Sequence, residues 1–218
     1  MKKYLPLIVA ILAVLIIASP AWAQKAGVIG TVHDVGGNGC LSCHAPHNGS
    51  EPNTGINTLA TQGTGKILLW ARGFTTQTFG TYSSPTLDNA TAEVGTTTPL
   101  PTDARLYSFL CLSCHDGVTS PTLISDGTTP PALAADHAIG SPNISYGLQN
   151  DHPVNMTYDP LLDTGLDTVG NVTGAGLKLF GVSNTVQCAS CHNVHSDSNP
   201  PFLRMSNAGS ALCLKCHK

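Results

Sequence analysis

The cysteines and histidines of this chain are grouped in a pattern that could hold a metal cofactor. The chain has 218 residues, and its eight cysteines all fall in four copies of Cys-x-x-Cys-His. This pattern is typical of c-type haem attachment, in which two cysteines bond the haem and the adjoining histidine ligates the iron. The sequence therefore predicts four haems. Their attachment residues would be Cys40, Cys43, Cys111, Cys114, Cys188, Cys191, Cys213 and Cys216, and their proximal ligands His44, His115, His192 and His217.

Two other arrangements use cysteines of this kind. Four Cys-x-x-Cys pairs can build two structural zinc sites, and eight cysteines in an exported chain can form disulfide bonds. Neither arrangement requires a histidine after every second cysteine, whereas haem attachment does. We therefore favour haem attachment over zinc binding and over disulfide formation.

The remaining histidines are numerous enough to supply a second ligand to every iron. The chain has nine histidines, and those outside the motifs are His33, His47, His137, His152 and His195. We predict that His33, His47, His152 and His195 are the distal ligands and leave out His137. Met156 and Met205 are the alternative axial ligands. Ligation by two histidines leaves no open position on the iron, so we expect electron transfer and no enzymatic activity.

Two of these predicted distal ligands share one spacing. His47 follows the proximal His44 by three residues, and His195 follows His192 by the same number. On a helix or tight turn this offset separates two imidazoles by about one turn. One ring can then face its own haem while the other reaches a neighbouring haem. The repeated arrangement also indicates a weak internal duplication, with halves at about 24–118 and 150–218.

The first 23 residues resemble a secretory signal peptide. Lys2 and Lys3 precede an almost wholly apolar run, and Ala21-Trp22-Ala23 forms a small-residue cleavage site. The alternative is a retained membrane anchor, for which a run of about 16 residues is short. We expect cleavage after Ala23, export of the chain, and no membrane span in the mature protein.

Charged residues are scarce. They make up 11% of the chain, and the net charge of −3 becomes −5 when Lys2 and Lys3 are removed with the signal peptide. Nucleic acid is excluded as an expected partner because it requires a basic face. So few charges are unusual for the surface of a small soluble monomer. A low share of charged residues is compatible with a chain whose surface is partly buried in an assembly.

Long segments lack the periodicity of a helix or a strand. These segments are 48–65, 75–102, 120–131 and 161–176. We predict one domain over residues 24–218 that is mostly irregular and loop-rich, with short α-helices, little β-structure and the chain wrapped around four haems. Helices are expected at the haem motifs, at 102–114 and 206–217, because one helical turn brings both cysteines and the histidine to one side.

The chain resembles the doubled-CxxCH multihaem cytochromes. The matching segments are His33-Asp34, Cys43-His44-Ala45-Pro46-His47, Leu110–Gly117, Asp151–Val154, Cys191–His195, Phe202-Leu203-Arg204 and Leu212-Cys213. Val194 departs from the family, which usually has proline there. The resemblance implies distal ligation by His33, His47, His152 and His195.

Within that family the haem count and the Gly- and Thr-rich loops are most similar to the extracellular cytochrome filaments, or nanowires, of metal-reducing bacteria such as Geobacter. This resemblance implies a homopolymer that conducts electrons from redox donors to extracellular acceptors, with an axial histidine crossing between subunits. We expect His47, or else His33, to be that histidine. The alternatives are a monomeric periplasmic electron shuttle and an enzyme with one five-coordinate haem.

Overall fold

The computed structural model of the chain describes residues 27–44, 70, 75, 79–80, 82–85, 87, 104–116, 148 and 151–218. The predicted signal peptide, His47 and His137 lie outside these residues. So do the irregular segments predicted at 48–65 and 120–131 and most of the segment at 75–102. Among the helices that are described, none is long and apolar enough to cross a membrane.

Short helices joined by irregular chain make up most of the described structure. The α-helices are α1 (Leu106–His115), α2 (Val169–Gly174) and α3 (Cys188–Cys191). Turns of 3-10 helix cover Val35–Gly37, Gly39–Ser42, Ala208–Ser210 and Cys213–Lys215. Two short antiparallel strands, β1 (Met156–Thr157) and β2 (Thr185–Val186), pair with Met156 opposite Val186. This confirms the predicted loop-rich fold with short helices and little β-structure.

Helix α1 is the longest described element and carries the second haem motif at its end. It was expected at 102–114 and is found at Leu106–His115. Its side chains Leu106, Phe109 and Leu112 are almost wholly buried, with no more than 1% exposed. Each buried side chain of this size stabilises the fold by about 1.5–3 kcal/mol. The helix therefore anchors the second motif to one of the small apolar clusters, which also contains Phe79, Leu148 and Val154.

Helix α2 lies inside the segment 161–176 that the sequence predicted to be irregular, so that prediction was wrong for six residues. The Thr168 side chain accepts a hydrogen bond from the Asn171 N–H (3.2 Å), which caps the first turn. Val172 is fully buried and packs on a second apolar cluster with Tyr158, Leu177 and Leu212. A capped turn with a single buried side chain is too short to show helical periodicity in the sequence.

The C-terminal motif region was predicted to be one helix at 206–217, and this prediction was also wrong. Two separate 3-10 turns are found instead, at Ala208–Ser210 and Cys213–Lys215. Gly209 and Ser210 have φ values of +61° and +64°. Residues in this left-handed region cannot continue a right-handed helix, so the chain breaks there.

Hydrogen bonds hold the C-terminal turn onto the segment that precedes α2. The Tyr158 hydroxyl lies 2.8 Å from the Asp167 carbonyl oxygen and 3.0 Å from that of Cys216. The Asp167 N–H donates to the Cys216 carbonyl (2.9 Å), and the Lys218 N–H donates to that of Gly165 (2.8 Å). These bonds fix the fourth motif although its own turn is only three residues long.

Candidate haem-binding centres

Each Cys-x-x-Cys-His motif folds as one tight helical turn. The backbone N–H of the histidine donates to the carbonyl of the first cysteine at 2.9 Å in the first motif, 3.2 Å in the third and 2.9 Å in the fourth. The second motif forms the last turn of α1. Positions i, i+3 and i+4 lie on one side of such a turn. Both sulfurs and the imidazole of each motif can therefore reach one haem.

Three of the four proximal histidines face a second histidine from a distant part of the chain. The ring centroids are 6.1 Å apart between His33 and His115, 6.3 Å between His44 and His195, and 6.4 Å between His152 and His217. Each pair joins a predicted proximal ligand to a predicted distal ligand. The sequence predicted the two sets of ligands but not their pairing.

These separations fit one metal ion between two imidazoles. An imidazole nitrogen lies about 2 Å from a metal that it ligates, and the ring centroid lies about 1.1 Å behind that nitrogen. Two rings on opposite sides of one iron therefore have centroids about 6.2 Å apart. The three measured separations agree with this value within about 0.2 Å. The spacing of each pair is therefore compatible with one iron between its two imidazoles.

The second ring nitrogen of two histidines is held by a backbone carbonyl. His152 Nδ1 lies 2.9 Å from the Pro153 oxygen, and His192 Nδ1 lies 3.2 Å from the Pro201 oxygen. A carbonyl accepts only from an N–H, so in both contacts Nδ1 is the donating nitrogen. The other ring nitrogen, Nε2, would then be available to bind a metal, as is usual for ligating histidines.

His33 and His195 lie in surroundings that keep their rings neutral. Burial, and then the neighbouring His115, lowers the pKa of His33. Burial, and then His44, lowers the pKa of His195. The neutral imidazole is the form that ligates a metal. The edge of the His33 ring contacts Phe202, with centroids 4.4 Å apart, and this packing fixes the ring orientation.

His192 is the proximal histidine that belongs to none of the three facing pairs. The structure describes seven histidines, and the pairs use six of them. None of the described histidine rings forms such a pair with His192. The predicted distal ligand His47 lies outside the described residues, so its position relative to His192 stays a prediction.

The third motif borders each of the others. A hydrogen bond between the Cys111 and Cys188 thiols raises the pKa of Cys111 and lowers that of Cys188. With haem attached both sulfurs are thioethers, so the contact indicates that the second and third motifs are adjacent. Cys191 and Cys216 pack on the same apolar cluster, which places the fourth motif beside the third. His195, three residues after the third motif, faces His44 of the first.

A buried polar network joins the second motif to the third. The Ser108 hydroxyl on α1 donates to Gln187 Oε1 (2.6 Å) and accepts from the Cys188 N–H (3.1 Å). The Gln187 amide donates in turn to Thr185 Oγ1 (2.9 Å) and Asn155 Oδ1 (3.1 Å). Ser108 and Gln187 are almost completely buried. A buried network whose members all have partners holds its elements in one arrangement.

Neither a zinc cluster nor a disulfide bond is found among the described residues. Over the described ranges, no group of three or more His, Cys, Asp or Glu side chains could hold a bare metal ion. All eight cysteines lie within those ranges, and no disulfide bond joins any of them. A zinc site requires four converging ligands, which this arrangement does not provide.

Sequence reasoning missed the residues that orient the motifs. Ser108 lies three residues before its motif and Gln187 lies directly before its own, and neither forms a recognisable pattern with it. Pro201 follows another proline, which gave no sign that its carbonyl would hold His192. Arg204 belongs to a segment quoted for the family resemblance, but its contact with the third motif depends on a chain reversal between residues 193 and 202. Only tertiary structure shows such contacts.

Comparison with known proteins bears on the last two motifs. Residues 181–218 match the family model described as the doubled CXXCH motif. The matched segment contains the third and fourth motifs together with His195. No curated protein matches the chain. The family match supports a multihaem c-type cytochrome that transfers electrons.

Proposed function

We propose that the chain carries four haems, each iron held between two histidines, and that its copies join end to end into a filament that conducts electrons. The three facing histidine pairs carry this proposal. When bound, each haem iron accepts and releases one electron. Because both axial positions would be filled, the iron would offer no site for a substrate.

A different set of histidines would hold each haem. His44 and His195 would hold the first haem, His115 and His33 the second, and His217 and His152 the fourth. The contacts of the third motif with the others favour haems close enough for electrons to pass along one continuous path. The apolar clusters around the motifs would limit the access of water to the haems.

The ligand left to be assigned supports the proposed joining of copies. His192 would hold the third haem and requires a distal ligand from a histidine outside the three pairs. His33 faces His115 in the same chain, so of the two histidines expected to cross a subunit boundary, His47 is the better candidate. We propose that His47 of one copy ligates the haem on His192 of the next.

The test compares the haem-loaded wild type with His47→Ala and, as the matched control, His137→Ala. We expect electron microscopy to show regular filaments and electron paramagnetic resonance (EPR) to show only low-spin ferric haems in the wild type and the control. His47→Ala should give dispersed particles with one high-spin haem per chain.

Each contrary result has a definite meaning. Intact filaments with four low-spin haems in His47→Ala would show that His47 does not join the copies. A wild type that stays a single-chain particle with four low-spin haems would favour the monomeric shuttle. A high-spin haem in the wild type would favour an enzyme, since a five-coordinate iron can bind a substrate.

A further inference from the structure

The Arg204 side chain lies against the third haem motif. Its Nε–H donates to the carbonyl of Ala189, between the two cysteines of that motif, at 2.7 Å. Its backbone N–H donates to the carbonyl of Cys191 at 2.8 Å, and Leu203 forms a β-bridge with His192. Arg204 is therefore held by its side chain and its backbone to the residues that attach the third haem.

Few negative charges of the protein offset the positive charge of this guanidinium. The Arg204 side chain is partly buried, and burial lowers its pKa, with the Cys191 thiolate as the opposing influence. A thioether at Cys191 carries no charge, so that influence vanishes when haem is attached. Among the described residues, no Asp or Glu contributes to the electrostatic balance of Arg204. The carboxylate of Asp197, in the same loop, accepts the Phe202 N–H (3.4 Å).

We infer that the fixed positive charge of Arg204 raises the reduction potential of the haem on the third motif. This inference rests on the proposed electron-transfer function. Reduction transfers one electron from a donor to the ferric iron and lowers the charge of the haem by one. A nearby cation stabilises that more negative state, so the ferrous form is favoured. Arginine stays protonated at any ordinary pH, so the effect is permanent.

The position of Arg204 makes this effect largest at the third haem. Only 11% of the residues are charged, so few other ions oppose or screen Arg204. Arg204 also lowers the pKa of His195, which places its charge within range of the first haem's distal ligand as well. The direct contact with Ala189 assigns the larger effect to the third haem. A unit charge at this range, with an effective dielectric constant of about 20, shifts a one-electron equilibrium on the order of tenfold.

The first test is a potentiometric titration of the haem-loaded Arg204→Gln variant. Glutamine keeps a side-chain N–H donor for the Ala189 carbonyl but removes the charge. We expect one of four redox components to move to lower potential by about tenfold in its equilibrium constant, or about 59 mV for a one-electron couple. Four covalent haems with no shifted component would overturn the inference.

Lys178→Gln is the matched control for this titration. Lys178 carries the same charge, and its backbone N–H donates to the Ser190 carbonyl of the same motif (3.3 Å). Its side chain is exposed, however, so water and salt screen its charge. We expect Lys178→Gln to change every component by less than about twofold. An equal shift in both variants would contradict an effect that depends on the fixed position of Arg204.

A second variant allows the charge at position 204 to be removed by a change of pH alone, within one and the same protein. Arg204→Lys keeps the charge at pH 7, and its ammonium can be neutralised above a pKa of about 10.4. We expect potentials close to those of the wild type at pH 7 and, as the pH rises past that pKa, a fall of one component that exceeds any change in the wild type, whose other lysines titrate in the same range. A variant without this pH dependence would overturn the inference even if Arg204→Gln failed to fold.

The same experiments separate this inference from the proposed function. A wild type that attaches no covalent haem would contradict the proposed function. A wild type with four low-spin haems whose potentials ignore the charge at position 204 would contradict only the inference.

Discussion

The two nitrogens of a metal-ligating imidazole have different roles. In His152 the Nδ1 proton is held by the Pro153 carbonyl, which leaves Nε2 for the metal and fixes the plane of the ring. The proline limits the backbone that supplies this carbonyl. His192 obtains the same support from Pro201, which is nine residues away in sequence. Ring orientation at both residues is therefore set by backbone rather than by a carboxylate.

His152→Ala should open one axial position on the fourth haem. His152 faces His217 with ring centroids 6.4 Å apart, so its removal would take away one of the two ligands proposed for that iron. We expect the reduced variant to bind one carbon monoxide per chain, measured by the change in its visible spectrum, while the wild type binds none. His137→Ala is the control, and we expect it to bind none. Carbon monoxide binding by His137→Ala but not by His152→Ala would reverse the assignment of these two histidines.

At the scale of elements, the helices are too short to hold their own position. Helix α3 has four residues, and its capping box joins Gln187 with Ser190. Gln187 also joins α3 to α1 through Ser108, and to Asn155 beside strand β1. The relative placement of the second and third motifs therefore depends on a few buried polar side chains.

Ser108→Ala should destabilise the haem-loaded protein by about 1–3 kcal/mol. The substitution leaves Gln187 Oε1 and the Cys188 N–H buried without the hydroxyl that now satisfies both. Denaturant unfolding followed by tryptophan fluorescence or circular dichroism measures the loss. Ser198→Ala is the control, because its hydroxyl bonds to Ser196 at an exposed site (3.0 Å), and it should change stability by less than about 0.5 kcal/mol. Equal losses in the two variants would exclude a special role for the buried network.

The sequence carries more information on the candidate sites than on the elements that position them. Cys-x-x-Cys-His is a local pattern, so the attachment residues and proximal ligands can be predicted directly from it. The pairing of His44 with His195 depends on tertiary structure, and so does the contact of Arg204 with Ala189. Helix α2 was not predicted because one capping residue and one buried valine produce no helical periodicity in the sequence. The break at Gly209 and Ser210 escaped notice because serine rarely adopts a positive φ.

At the scale of the whole molecule, the apolar core is small and divided. The described clusters each contain five or fewer buried side chains and lie around the haem motifs. Tyr158 belongs to one cluster and also joins the C-terminal turn to the segment before α2. Its side chain is 5% exposed. Ionisation of this one phenol therefore bears on the stability of the C-terminal region.

Tyr158 should make the protein less stable at alkaline pH. Burial, with smaller contributions from Cys216 and Asp167, raises the pKa of Tyr158 to about 12. The thioether at Cys216 removes its contribution, so the shift in the haem-loaded chain is smaller but has the same sign. A raised pKa gives stability that is complete below the unfolded value of about 10 and is lost as the pH rises towards the folded value.

The measurement is the free energy of unfolding of the wild type and of Tyr158→Phe between pH 8 and pH 12. Phenylalanine cannot ionise and cannot bond the Asp167 and Cys216 carbonyls, so the variant should be less stable by about 1 kcal/mol at pH 8. The difference between the two proteins should shrink above about pH 10. A difference that stays constant over the whole range would contradict the raised pKa.

The facing histidine pairs also have a topological consequence. His44 and His195 are 151 positions apart, His33 and His115 are 82 apart, and His152 and His217 are 65 apart. An iron bonded to both members of a pair cross-links the chain, as a disulfide does. Closing a loop of about 100 residues removes unfolded-chain entropy equivalent to about 4–5 kcal/mol. If His47 ligates the next copy, the same kind of bond would cross-link two molecules, and a filament would be as firmly bonded between its copies as within them.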